Sequence, residues 1–117
     1  MSSIIEAKLL RVYIEELDKI HGKPLYEQIV MEAKNRNLAG ASVFKGILSY
    51  GSASLIHSQK MLALSSDMPI LIEIIDEVSK INDFIPILNQ MFEKAECGGI
   101  ITLENLEVIK YTAGSKR

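Results

Sequence analysis

A chain of 117 residues is the length of one domain, and a domain of this size buries about two-thirds of its unfolded surface without staples. Its net charge of −2, from 13 basic and 15 acidic residues, excludes the broad basic surface that nucleic-acid binding requires. Cys97 is the single cysteine, which rules out an intrachain disulfide and a zinc site built on a cysteine cluster.

The opening residues, MSSIIEAKLLRV, lack the basic-then-apolar pattern of a secretory signal, and no apolar run approaches the ~18–20 residues of a membrane span. A cytoplasmic location is expected. Leu9–Ile14 is aliphatic, β-branched and aromatic and reads as a strand, with Leu10, Val12 and Ile14 on one face and Leu9, Arg11 and Tyr13 on the other. DKIHGKP then breaks the pattern, and Pro24 suits the first turn of a helix. Leu25, Ile29, Val30 and Ala33 form that helix's apolar stripe, and Asn37 suits a left-handed C-cap. The second strand is read at Ala41–Leu48.

A long connector follows, about residues 49–69, reading as neither helix nor strand; loops of that length are either functional or disordered. It carries Gly51, His57, Ser65, Ser66 and Asp67. The third strand, Ile70–Asp76, alternates Ile70, Ile72 and Ile74 against Leu71, Glu73 and Ile75. Asp76 or Ser79 can cap the next helix, whose stripe runs from Val78 through Ile81, Phe84, Leu88 and Met91 to Phe92. Pro86 inside it predicts a kink or restart near Asn82–Asp83. Gly98–Gly99 ends the segment as cap and turn. Ile100–Tyr111 is the last strand, with a bulge or bend expected at Glu104–Asn105, and the tail TAGSKR is expected to be loose.

The order makes a single α+β domain over 1–117, core about 8–111: a ferredoxin-like βαββαβ sandwich with an antiparallel sheet and two helices on one face. The opposite face then needs a partner, because Leu9, Tyr13, Val43, Ile75, Ile101 and Ile109 include an apolar set that two helices cannot cover. Homo-oligomerisation through it is expected. Glu73 between isoleucines needs either a cross-sheet partner (Lys8, Arg11 or Lys45) or a ligand. His57 has no clustered second ligand, so metal binding is not expected. Ser65, His57 and Asp67 contain the residue types of a hydrolase triad, but no nucleophile elbow accompanies them, and no catalytic residue is assigned.

The segments GKPLYEQIVMEAKNRNLAGASVFKGI, YG, IH, LSSDMP, IEIID and KINDFIPIL, in this order, resemble an uncharacterised bacterial and archaeal family of the nitrogen-regulatory PII-like signalling superfamily. The resemblance spans Leu9 to Tyr111. It implies a trimer whose sheets line the centre and whose intersubunit clefts take an adenine nucleotide. It further implies that the loop between the second and third strands engages a target such as a membrane transporter or an enzyme; some relatives are linked with a fluoride exporter. Carried over by position, Gly40 and Ser42 face the adenine, Lys45 and Gly46 form the loop base, and Glu73 matches a third-strand glutamate. Gly98 and Gly99 stand at a phosphate loop, and Lys110 is the basic residue of the last strand. Gly51, His57, Ser65 and Asp67 become the loop's responding residues. Asn37 stands where glycine is common, Ser49-Tyr50 where a glycine-aromatic pair is usual, and Lys45 where arginine is frequent. The glycine loop is shorter and a second arginine is missing, which favours ADP or AMP over a triphosphate. No cofactor is required by this reading. The alternatives are a structural or ion-tolerance trimer and a small acid–base enzyme using His57 with Glu73 or Asp67.

Overall fold

The computed structural model describes residues 5–50, 56–58 and 68–114. Its strands are β1 (Ile5–Glu15), β2 (Lys19–Ile20), β3 (Lys23–Pro24), β4 (Ala41–Lys45), β5 (Leu48–Tyr50), β6 (Ile56–Ser58), β7 (Pro69–Glu77) and β8 (Ile100–Val108). Its helices are α1 (Leu25–Asn35) and α2 (Val78–Ala95). The main sheet has the order β4-β7-β1-β8 with every neighbour antiparallel, the ferredoxin-like arrangement.

The strict period of two in β1 and β7 sets this layering. Leu10, Val12 and Ile14 pack with Ile70, Ile72 and Ile74 on one face, and there they meet Leu25, Ile29 and Ala33 of α1 and Ile81, Phe84, Leu88 and Met91 of α2. Both helical stripes face the core as the spacing predicts, except that Val30 and Val78 stay half-buried outside it. Pro86 sits inside α2, which runs unbroken from Val78 to Ala95, so the helix does not restart near Asn82–Asp83. One missing hydrogen bond is outweighed by the continuous stripe on either side of it, each fully buried leucine or phenylalanine contributing about 1.5–3 kcal/mol.

Other local expectations are corrected. The Glu104–Asn105 patch does not bulge, since the β1–β8 register runs through it without a slip. The second strand is two pieces: β4 ends at Lys45, and β5 leaves the sheet to pair with β6 as a separate ribbon inside the long connector. Neither Asp76 nor Ser79 caps α2, whose N-cap is Glu77 with no side-chain cap bond. Gly98–Gly99 is not the cap of its C-terminus; Glu96 takes the left-handed turn at φ 53°.

The face away from the helices carries Tyr13, Phe44, Ile75 and Ile100, all exposed, around half-buried Leu71 and Glu73. Val43 and Ile101 do not belong to it. They stand opposite Ile72 and Val12 in register, which places them on the helix side. Ile109 lies beyond the end of β8. The open apolar face is therefore real but differently composed.

Candidate functional site

At one end of the sheet, the entry to β4, the exit of β7 and the exit of β8 surround a cleft of about 1000 Å³. Its wall contains Gly40, Ser42, Glu73 and Lys110 of the predicted set, joined by Asn37, Asp76, Lys80 and Tyr111. The rim from Asn37 to Gly40 is shaped by the end of α1. Asn37 is left-handed at φ 63°, its N–H donates to the Lys34 carbonyl (3.0 Å), and the Leu38 N–H donates to the Ala33 carbonyl (3.0 Å). Those two bonds make a Schellman motif, and both Leu38 and Ala33 are buried beneath it. Asparagine serves where glycine is commonest because its short polar side chain tolerates that conformation.

The rim is also held from the far side. The Asp76 carboxylate accepts the Ala39 N–H at 2.8 Å and the Glu77 N–H at 2.7 Å, and the Lys80 ammonium donates to the Asn37 carbonyl at 3.2 Å. At Gly40, a Cβ would meet nothing within 4 Å, so this glycine leaves backbone open to the cleft rather than relieving a clash.

Glu73 lies on the cleft wall and has the cross-sheet partner its burial demanded. Arg11, directly opposite in register, donates from Nε to Glu73 at 3.0 Å, and its Nη1 reaches Glu104 on β8 at 2.5 Å. The guanidinium is raised above its ordinary pKa, chiefly by the hydrogen bond to Glu73, with burial opposing and the Glu104 charge adding. Lys8 turns instead to the helix side, where it donates to Asn82 at 3.4 Å.

The remaining predicted residues stand elsewhere. Lys45 and Gly46 lie roughly 16–20 Å from Gly40 at the other end of β4, counting ~3.3 Å per residue. Lys45 pairs with Glu16 at 3.0 Å, and the Gly46 N–H donates to the Pro69 carbonyl at 2.7 Å. A Cβ on Gly46 would come within 2.8 Å of Pro69 Cγ, so this glycine is required by packing. Gly99 precedes β8, on the opposite sheet edge, and a Cβ there would lie 2.5 Å from the Tyr13 carbonyl oxygen and 3.0 Å from the Phe92 ring. Gly98 precedes it in the same connection. Within one chain the eight candidates thus form two groups at opposite ends of the sheet. Gly51, Ser65 and Asp67 lie outside the described residues; His57 is in β6, opposite Ser49. Among the described residues, no three His, Cys, Asp or Glu side chains converge as a metal site.

Asp76 and Lys80 are the candidate-site residues that sequence reasoning missed. A signal for Asp76 was present, because it continues the helix-facing row of Ile70, Ile72 and Ile74, and a carboxylate in that row needs a partner.

The DUF190 family, described as "Uncharacterized ACR, COG1993", matches residues 7–108. A UPF0166 protein of Aquifex aeolicus (strain VF5) is 40% identical over 106 residues, 91% of this chain and 96% of that protein. A UPF0166 protein of Methanocaldococcus jannaschii is 32% identical over 107 residues, 92% and 95% of the two chains. Among solved structures, CPII, a nitrogen regulatory PII-like protein from Thiomonas intermedia K12 bound to ADP, AMP and bicarbonate, superposes with a TM-score of 0.71 at 14% identity, covering 92% of each chain. A candidate PII-like signalling protein from Thermus thermophilus superposes at 0.62 with 17% identity, again over 92% of each. The chain belongs to the DUF190 family and has the fold of PII-like proteins.

Proposed function

We propose that this DUF190 chain is a PII-like signalling protein that binds an adenine nucleotide, ADP or AMP in preference to ATP, in clefts between its subunits. The observation that carries this reading is the cleft at the start of β4, where Gly40, Ser42, Glu73 and Lys110 converge. The presence of ADP and AMP in CPII, a protein of the same fold, supports the ligand class. Lys110 supplies a cation for a phosphate, Ser42 a hydroxyl, and Gly40 open backbone. Few cations line the cleft, which disfavours a triphosphate on charge alone.

A trimer completes the reading. Tyr13, Phe44, Ile75 and Ile100 form an apolar sheet face that packing against other copies would cover. Lys45, Gly46 and Gly99 lie away from the cleft in one chain; a neighbour's contribution of such residues is what an intersubunit site would use. Nucleotide occupancy would then shift the conformations of the connector between β4 and β7, and a partner, such as a transporter or an enzyme, would read that shift. The protein performs no catalysis of its own in this scheme.

Titration calorimetry tests it. ADP and AMP are expected to bind more tightly than ATP, and Lys110→Ala to weaken ADP by about tenfold, the scale of one lost charge-assisted hydrogen bond. No heat from any adenine nucleotide at millimolar concentration refutes the ligand class. Light scattering should give three times the chain mass of 13.0 kDa; a monomer at micromolar concentration refutes the assembly.

A further inference from the structure

The β4–β7 ladder closes at Ala41, opposite Ile74. Two steps further in the same register, Ala39 would stand opposite Asp76, but the chain has already left the ladder for the turn after α1. The Asp76 side chain takes over at that point. Its Oδ2 accepts the Ala39 N–H at 2.8 Å, while Oδ1 accepts the N–H of Glu77, the N-cap residue of α2, at 2.7 Å. One carboxylate therefore ties the rim of the cleft to the start of a helix whose apolar stripe is buried in the core.

We infer that Asp76 is a positioning residue for the cleft's ligand: it fixes the backbone of Ala39 and Gly40 in the place where an adenine nucleotide meets it. The inference rests on the nucleotide reading above and adds to it a cleft-wall carboxylate whose part is to hold the rim's backbone. Both carboxylate oxygens already accept backbone donors, and such charge-assisted bonds are roughly twice as strong as neutral ones. The position next in the chain, Gly40, has open space on its Cβ side, so neighbouring side chains do not hold it from there. Lys80 reinforces the clamp through the Asn37 carbonyl at 3.2 Å, one helical turn further along the same helix. Without Asp76 the rim must be ordered when the ligand arrives, and that ordering is taken out of the affinity.

The test compares the full-length protein with Asp76→Ala, Asp76→Asn and Ile14→Val. Ile14 is a buried core residue at the other end of the sheet, so its shortening lowers stability without touching the rim. ADP affinity is read by calorimetry and the Ala39 amide by hydrogen exchange. Asp76→Ala should raise the ADP Kd about tenfold and speed Ala39 exchange, the loss expected for a hydrogen bond to a charged group. Asp76→Asn keeps one acceptor oxygen and should recover part of both, with a Kd raised only about threefold. Ile14→Val should lower Tm and leave the Kd unchanged. Wild-type affinity in both Asp76 variants overturns the inference while leaving the nucleotide reading intact. An equal loss in Ile14→Val also overturns it, because the effect would then be general destabilisation. If the wild-type protein binds no ADP, the nucleotide reading itself falls and takes the inference with it. Should Asp76→Ala fail to fold, the Asp76→Asn affinity decides the matter alone.

Discussion

The two ends of the sheet solve opposite problems with similar residues. At the cleft end, a loop is tied to β7 and α2 by side chains that reach across to backbone, Asp76 to Ala39 and Lys80 to Asn37, and space remains between the strand ends. At the connector end, backbone closes directly on backbone. Gly46 donates to Pro69, Glu16 donates to Met68 at 2.8 Å, and Gly99 lies against the Tyr13 carbonyl. Glycine occurs at both ends for different reasons. Gly40 leaves an opening, whereas Gly46 and Gly99 permit a close approach. A glycine's meaning is thus set by what faces its missing Cβ.

The same substitution at both ends should separate these roles most widely. Gly99→Ala forces a Cβ to within 2.5 Å of a backbone oxygen, which a flexible side chain cannot relieve. We expect a loss of about 3 kcal/mol in urea unfolding, the upper part of the usual overpacking range. Gly40→Ala meets open space and should change stability by no more than about 0.5 kcal/mol, while weakening ADP binding. Equal stability losses at the two sites would dissolve the contrast.

Cys97, just before the tight Gly98–Gly99 passage, gives a chemical measure of that end. Burial, aided by the charge of Asp18, pushes its thiol up from 9.0 to about 11. At neutral pH the folded protein then holds about a hundredfold less thiolate, partly offset by the greater nucleophilicity of a more basic sulfur, so alkylation should be about tenfold slower than in urea-unfolded chain. The folded-state pKa is raised, so this group's contribution to stability is complete below pH 9 and is lost as pH rises through about 11. Iodoacetamide labelling at neutral pH, folded against unfolded, checks the first point, and equal rates would show an open connector end.

The smallest effect is expected at the Lys45–Glu16 pair, whose lysine side chain is 54% exposed. Lys45→Ala should cost no more than about 0.5 kcal/mol and progressively less with added salt, as exposed ion pairs do. A larger, salt-insensitive loss would mean that this pair helps to hold the connector end shut.

Much of the framework was legible in the residues because local signals agreed with one another. The helical stripes, the alternation in β1 and β7, and the left-handed Asn37 each follow from periodicity or from a single residue's conformational tolerance. The failures share a cause too. Val43 and Ile101 fall on the other face from the one expected because an edge strand can be read in either phase until its neighbour fixes the register. The left-handed turn after α2 falls on Glu96 because the helix ends at Ala95, before the glycine pair, while Gly99 is needed where the chain passes the Tyr13 carbonyl.

By itself, the sequence determined the order of the two helices and the four strands of the main sheet, the faces of the two central strands and the need for a partner to Glu73. Each of these depends on residues within a few positions of one another or on the cost of burying an unpaired charge. Only the tertiary structure decided that Arg11 is that partner, that Asp76 clamps Ala39 instead of capping α2, and that the eight candidate residues divide between two ends of the sheet. Those are contacts between residues 62 and 37 positions apart and outcomes of strand order, and no local period carries such information.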